Sequence, residues 1–172
     1  MFAEGCRSRV LPSSFASLRN LLDLNLGGNV FEQFPEVICE LRNLRNLWLN
    51  GNKLSTLPQS FAKLRELREL YISNNCFKEF PQVVCELLNL ESLAVGNNQL
   101  SKLPLAITKL VRLKYLDLSG NLFTSFPLFV GDLPQLLDFS SYGWSILFVS
   151  ISLSHAHNWC RQSSSGSSKR SL

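Results

Sequence analysis

Histidine and long apolar runs are scarce in this sequence, and each scarcity excludes a class of function. The only two histidines, His155 and His157, lie near the C-terminus, so the residues before them offer no imidazole for acid–base catalysis. No apolar run reaches the roughly 18 residues that a transmembrane helix requires. The N-terminal residues lack the basic start and following apolar run of a secretory signal peptide. We therefore predict neither a membrane span nor secretion.

An excess of charge of one sign is also lacking from the body of the chain. The net charge is +4, but residues 20–134 carry eleven basic and eleven acidic side chains. The excess lies in residues 1–19 and 135–172. Because binding to phosphates depends on clustered basic residues, this distribution predicts no nucleic-acid partner.

The dominant feature is an internal repeat of 23 residues, which occurs five times in succession. Half a unit precedes these five, with Leu11, Pro12, Phe15 and Leu18 in matching positions, whereas residues 1–10 show no strand pattern. A degraded unit begins at Leu136. We call the full units repeats 1–5 and number their positions 1–23; they span residues 20–42, 43–65, 66–88, 89–111 and 112–134.

Four regions follow from this pattern. Residues 1–19 form a partial first repeat with an irregular N-terminus, and residues 20–134 form the five full repeats. Residues 135–160 hold the degraded repeat and an apolar segment that either adds an edge strand or covers the last repeat. The serine-rich residues 161–172 are predicted to be a disordered tail.

Each repeat contains positions whose residue types predict local structure. Apolar residues at positions 2, 5 and 7 predict a short strand with one buried face, so stacked repeats form a parallel sheet. Proline at position 16 suits the first turn of a short helix, with positions 19 and 22 facing inward. Asparagine at position 10 is predicted to bind backbone groups of its own turn and of the next. These asparagines are Asn29, Asn52, Asn75, Asn98 and Asn121.

The pattern LxxLxLxxNxLxxLPxxLxxLxx resembles the leucine-rich-repeat family over about residues 9–139. The 23-residue unit with a central proline is similar to the short intracellular class, which includes Ras-pathway scaffolds and Ras-suppressor-type proteins. The resemblance implies an α/β solenoid with a curved parallel β-sheet on its concave face. Short helical or 3₁₀ turns would form the convex face. It also implies a cytoplasmic protein-interaction module in signalling, with a small GTPase or phosphatase pathway component as a possible partner.

A longer period of 46 residues lies beneath the repeat. Positions 12 and 15 are both phenylalanine in repeats 1, 3 and 5, and both leucine in repeats 2 and 4. Cysteine occupies position 20 only in repeats 1 and 3, and the charge at position 21 alternates in sign. We predict alternating core layers, with Phe77 and Phe80 buried between leucine layers and the position-21 charges facing each other.

The cysteines are predicted to be reduced. Cys39 and Cys85 share a position two repeats apart, so their Cα atoms are more than about 9 Å apart at a strand spacing of roughly 4.8 Å. A disulfide requires less than about 7 Å. Unpaired cysteines are typical of a reducing compartment and support a cytoplasmic location.

Candidate binding residues occupy positions on the sheet face and its rim that the scaffold leaves free. Trp48 and Tyr71 are neighbours on adjacent strands, and tryptophan, tyrosine and arginine dominate binding hot spots. The alternative is that Trp48 and Tyr71 are an ordinary cross-strand aromatic pair that stabilises the sheet and binds no partner. An acidic partner group would suit Arg45 and Arg68, unless Glu91 offsets the charge of Arg68. The full candidate set is Arg45, Trp48, Asn50, Arg68, Glu69, Tyr71, Ser73, Tyr115 and Asp117.

Catalytic, cofactor and metal sites are not predicted. The repeat positions supply no nucleophile–base set, phosphate loop or paired carboxylates at a pocket. The segment from His155 to Cys160 has metal-binding residue types but too few ligands for a prediction. Two functions remain: a protein-binding module, or a truncated piece of a longer repeat protein with a structural role and no independent activity.

Overall fold

A single parallel sheet and a row of 3₁₀ helices form the two sides of the protein. The computed structural model describes Met1 and residues 3–141. The sheet has six strands in chain order, β1 to β6. They are Asp23–Asn25, Asn46–Trp48, Glu69–Tyr71, Ser92–Ala94, Tyr115–Asp117 and Asp138–Ser140. The 3₁₀ helices η1 to η6 are Ser13–Ser17, Glu36–Glu40, Gln59–Lys63, Gln82–Glu86, Leu105–Lys109 and Leu128–Asp132. This arrangement confirms the predicted solenoid, and we call the sheet side concave and the helix side convex.

The strands stack with a constant offset of one repeat. Leu47 of β2 lies opposite Leu24 of β1 and Leu70 of β3, so position 5 forms one row across the sheet. These three leucines are fully buried. Because side chains alternate along a strand, positions 4 and 6 must point away from the core, onto the concave face.

The convex helices begin after the repeated proline, as the sequence predicts. Pro58 is the N-cap of η3, and the Leu64 N–H at its C-cap donates to the Phe61 carbonyl. Phe61 and Leu64, at positions 19 and 22, are fully buried. Proline suits this site because its fixed φ fits a helix start and its missing N–H has no intrahelical role there.

The buried asparagines join each repeat to the preceding one. In repeat 2, the Asn52 amide donates to the Leu49 carbonyl of its own turn and to the Leu26 carbonyl of repeat 1, both at 3.0 Å. Its Oδ1 accepts the Phe31 N–H of repeat 1 at 3.1 Å. The predicted structural role is right, but the predicted direction towards the next repeat is wrong. The amide points back because the core-facing turn of repeat 1 has backbone groups left unpaired by the sheet.

A left-handed residue precedes each of these asparagines. Position 9 has positive φ in all five repeats: Gly28, Gly51, Asn74, Asn97 and Gly120. Glycine and asparagine are the residue types that adopt this conformation at least cost. The turn that orients the asparagine ladder therefore depends on position 9 as well as on position 10.

Backbone groups of Met1, Ala3 and Gly5 continue the hydrogen bonding of the sheet beyond β1, although the sequence predicts no strand half in residues 1–10. The Asn25 N–H donates to the Met1 carbonyl at 3.0 Å, and the Ala3 N–H donates to the Asn25 carbonyl at 2.9 Å. The Gly5 N–H donates to the Gly27 carbonyl at 3.0 Å. Backbone groups alone make this ladder, so it forms without the leucine pattern by which the other repeats are recognised.

The degraded repeat also adds a strand at the other end. Leu136 is buried, and β6 pairs with β5 in the same register as the other strands. The Phe139 ring meets Phe126 edge-on, with ring centroids 5.6 Å apart. The apolar segment, the histidine-containing segment and the serine-rich tail lie outside the described residues, so those predictions stay predictions.

The 46-residue period is visible in the backbone. The ψ angles of Pro35, Pro81 and Pro127, which follow phenylalanine, are 98°, 97° and 90°. Those of Pro58 and Pro104, which follow leucine, are 157° and 143°. Phenylalanine at position 15 thus coincides with a smaller ψ angle at the proline that precedes the 3₁₀ helix. Two kinds of repeat therefore alternate along the solenoid.

Phe77 and Phe80 are buried as predicted, whereas the alternating charges at position 21 form only one ion pair between neighbouring repeats among the described residues. Phe77 is 1% exposed and Phe80 6% exposed. At position 21, the Lys63 ammonium lies 2.7 Å from the Glu40 carboxylate. Among the described residues no other neighbouring pair at this position forms an ion pair, and Glu86 accepts a hydrogen bond from Gln59 at 2.8 Å instead. The position-21 charges therefore do not set the register of the stack.

Cys39 and Cys85 are buried free thiols. Burial raises the pKa of the Cys85 thiol to about 11 and also raises the pKa of Cys39. At pH 8 both should react much more slowly with a thiol reagent than the exposed Cys6, because the thiolate is the reactive form. Mass-spectrometric mapping of labelled cysteines over time measures the three rates. Equal labelling of Cys85 and Cys6 in the folded protein would contradict the burial, and a Cys39–Cys85 peptide cross-link would contradict their placement.

Candidate functional site on the concave face

An aromatic pair occupies the middle of the concave face. The rings of Trp48 and Tyr71 stack with centroids 5.9 Å apart and planes inclined by 2°. Both side chains are half-buried, so part of each ring is open to solvent. The strand register places them directly side by side, as the sequence predicts. The pair thus offers a rigid apolar surface with polar atoms at its edge.

Polar neighbours fix the orientation of Tyr71. Its hydroxyl donates to the Glu69 carboxylate at 3.2 Å and accepts from the Ser92 hydroxyl at 3.3 Å. Partial burial raises the pKa of Tyr71, and the nearby Glu69 carboxylate raises it further. The phenol therefore stays neutral at physiological pH and remains a hydrogen-bonding group. Ser92 was absent from the predicted set, since a serine in a variable position gives no sequence signal.

Tyr115 and Asp117 lie further along the same face. Burial raises the pKa of Tyr115, and the charges of Asp117 and Asp138 add to that effect. Asp117 accepts the Ser119 N–H at 2.9 Å, and a Cβ at Gly96 would meet its carboxylate oxygen at 2.7 Å. Asp117 thus shapes the end of its own strand and covers Gly96, which follows the neighbouring strand β4.

Two more predicted residues line the row at position 8. The Asn50 amide lies over Gly27, where a Cβ would be 3.1 Å from its oxygen. The Ser73 hydroxyl is buried and has no hydrogen-bond partner within the described residues. These contacts place Asn50 and Ser73 in the floor of the face beside the aromatic pair.

The rim of the face carries Arg45 and Arg68. Both are exposed, and their backbones are adjacent, since the Arg68 N–H donates to the Arg45 carbonyl at 2.7 Å. Glu91 forms its ion pair with the Lys114 ammonium at 2.6 Å and forms none with Arg68. The lysine lowers the pKa of the Glu91 carboxyl. Neither arginine forms an ion pair with any residue that the structure describes.

The structure therefore divides the predicted set into two groups. Arg45, Trp48, Arg68, Glu69 and Tyr71 come together on two adjacent strands. Asn50, Ser73, Tyr115 and Asp117 lie around this group on the same face. Asn50 and Asp117 also pack against Gly27 and Gly96. The floor beside Tyr71 is Ala94, which is 6% exposed although it lies on the concave face. The sequence did not single out Ala94, because a small residue there gives no binding signal.

Other kinds of site have no support in the described part of the chain. Among Met1 and residues 3–141, no group of three or more histidine, cysteine, aspartate or glutamate side chains is placed to hold a metal ion. Within the same residues, no helix combines the length and the apolar character needed to cross a bilayer.

Comparisons with solved structures identify similar folds of greater length. A leucine-rich-repeat protein from Leptospira interrogans is 28% identical, with a TM-score of 0.70 over 83% of this chain and 42% of that one. The ectodomain of the Arabidopsis thaliana receptor kinase GASSHO1/SCHENGEN3, solved in complex with Casparian strip integrity factor 2, is 32% identical. Its TM-score is 0.67 over 77% of this chain and 17% of that one. The chain thus spans less than half the length of these proteins.

Sequence comparisons agree with the fold. Comparison with curated protein sequences found no match. The family model described as leucine-rich repeats in two copies matches residues 42–85 and 88–136, which together make up more than half of the chain. Repeats of this family are typically protein-interaction domains rather than enzymes. The chain belongs to the leucine-rich-repeat family.

Proposed function

We propose that this protein is a non-enzymatic adaptor that binds a partner protein through its concave face. The observation that carries the proposal is the stacked Trp48–Tyr71 pair, part-exposed beside two arginines that have no ion-pair partner in the described structure. Burying such aromatic anchors on binding typically contributes most of the affinity of an interface.

The geometry favours binding over a purely structural role for the pair. The core does not depend on the rings, since Leu24 and Leu93 are as fully buried as Leu47 and Leu70 although their repeats have no aromatic residue at position 6. Other repeats form the same strand with Asn25, Ala94 or Asp117 at position 6, so the fold does not require aromatic residues there. The complex of a similar receptor ectodomain with its protein factor supports the use of this fold for protein recognition.

The cellular setting forms a second part of the proposal. The short repeat with a central proline resembles the intracellular class, and Cys39 and Cys85 are free thiols. We therefore place the protein in the cytoplasm, in a signalling pathway. A small GTPase or a phosphatase pathway component is the class of partner that the resemblance favours.

An affinity-capture comparison tests the proposal. Immobilised wild-type chain is incubated with cell lysate beside two variants, Trp48→Ala/Tyr71→Ala and Gln59→Ala/Gln82→Ala. The second pair changes exposed convex residues of the same two repeats and serves as the matched control. We expect a protein retained by the wild type and the control but lost by the aromatic variant. Equal retention by all three would move the binding surface away from the concave face.

A further inference from the structure

Five arginines gather on one lateral flank of the solenoid, between the convex helices and the concave sheet. They occupy positions 23 and 3 of successive repeats, where the chain passes from one side to the other, and all are exposed. We call this surface the arginine flank; its members are Arg19, Arg42, Arg45, Arg65 and Arg68. It begins before repeat 1, ends in repeat 3 and borders the Trp48–Tyr71 pair.

The fold does not require arginine at these positions. Position 23 holds Leu88 and Val111 in repeats 3 and 4, and position 3 holds Leu22 in repeat 1. Equivalent positions in neighbouring repeats are about 4.8 Å apart, well inside the roughly 8 Å Debye length at physiological salt. The arginines therefore repel one another in the free protein.

Ion pairs among the described residues engage only one of these arginines. Arg42 reaches the Glu40 carboxylate at 3.9 Å, but Lys63 already binds that carboxylate at 2.7 Å. The other four arginines form no ion pair with any described residue. The surface depression nearest Arg19 and Arg42 has a volume of about 380 Å³ and is lined also by Glu40 and Asn43.

The opposite flank of the same repeats is different. There Lys53 and Lys78 alternate with Glu32 and Glu79, so the two signs are mixed. The equal numbers of basic and acidic residues in the body of the chain thus conceal an uneven distribution over its surface. Complementary charge on one flank steers partners and fixes their orientation more than it raises affinity.

We propose that the arginine flank binds an acidic segment of the partner protein, adjacent to the part that contacts Trp48 and Tyr71. This inference rests on the proposed function and adds the chemistry of the partner. Guanidinium groups bind carboxylates in a planar, two-point arrangement that lysine does not reproduce. A peptide is favoured over a nucleic acid because Glu40, Glu66 and Glu69 interrupt the flank. Separate carboxylates can avoid these acids, whereas a continuous phosphate backbone cannot.

Selection from a displayed library of random linear peptides tests the inference. We expect the wild-type chain to enrich acidic peptides whose binding weakens as salt is added. An enriched peptide, fluorescently labelled, should bind the Arg42→Glu/Arg65→Glu variant about tenfold or more weakly. It should bind Lys53→Glu/Lys78→Glu as it binds the wild type. The control reverses two exposed charges on the opposite flank, in repeats 2 and 3, so both variants have the same net charge.

The other outcomes separate this inference from the proposed function. Enrichment of uncharged peptides that depend on Trp48 and Tyr71 would overturn the acidic partner and leave the concave-face proposal intact. Equal weakening by both charge-reversal variants, or a selection that enriches no peptide, would also overturn the inference. Competition by single-stranded oligothymidine stronger than by the acidic peptide would point to nucleic acid instead. If acidic peptides bind the Trp48→Ala/Tyr71→Ala variant as tightly as the wild type, the result would support binding at the arginine flank but not at the aromatic pair.

Discussion

The Phe80→Ala variant should lose about 3–5 kcal/mol of unfolding free energy, because its ring is 6% exposed in a close-packed layer. Truncation leaves a cavity that neighbouring repeats cannot fill without shifting the stack. Urea denaturation followed by circular dichroism measures the loss.

Phe126 provides a matched control for this prediction. It occupies the same position 15 in repeat 5, but its ring is 38% exposed. Phe126→Ala should therefore cost less, about 1–2 kcal/mol. Equal losses for the two variants would mean that the ring layers do not differ in burial along the solenoid.

The Asn75→Ala variant should lose about 3 kcal/mol or more, since the buried Leu54 N–H loses its only partner among the described residues and the carbonyls that Asn75 binds each lose one of two donors. Asn75 Oδ1 accepts the Leu54 N–H at 2.9 Å, and its amide donates to the Leu49 and Ile72 carbonyls. Methyl replacement restores none of these bonds, and water has little access to the site.

The preceding residue supplies the control for that prediction. Asn74 has φ of 55°, and glycine occupies the equivalent site in three other repeats. Asn74→Gly should change the unfolding free energy by less than about 1 kcal/mol, because relief of the left-handed strain offsets the added chain entropy. A large loss at Asn74 with a small loss at Asn75 would contradict the asparagine ladder.

The periodic part of the fold was predictable because each repeat restates the same constraints. Leucines such as Leu47 and Leu70, the prolines and the asparagines occur at a fixed spacing, so five copies support one assignment. The alternation of phenylalanine and leucine also predicted a real difference between repeats, which the ψ angles of Pro35 and Pro58 display.

Features that depend on backbone geometry were not predictable from side-chain patterns. The strand-like pairing of Met1 and Ala3 uses only N–H and carbonyl groups, which every sequence supplies. The direction of the Asn52 amide depends on which neighbouring turn has free backbone groups, and the composition of one repeat does not encode it.

The candidate site was predictable in place but not in detail. Strand register placed Trp48 beside Tyr71. Whether Glu91 would contact Arg68 or Lys114 depended on side-chain reach across adjacent strands, and the structure pairs it with Lys114. The cluster of Arg19, Arg42 and Arg65 on one flank was not predicted, because it depends on positions 23 and 3 lying on the same side of the folded solenoid.

The most direct test of concave-face binding is calorimetric titration of the captured partner into wild type, Trp48→Ala and Tyr71→Ala, with melting temperatures measured on the same samples. Each truncation should weaken affinity roughly thirtyfold, equivalent to about 2 kcal/mol, while the melting temperature stays within a few degrees. Unchanged affinity in folded variants would contradict the account, and loss of the fold would show that the aromatic pair is structural.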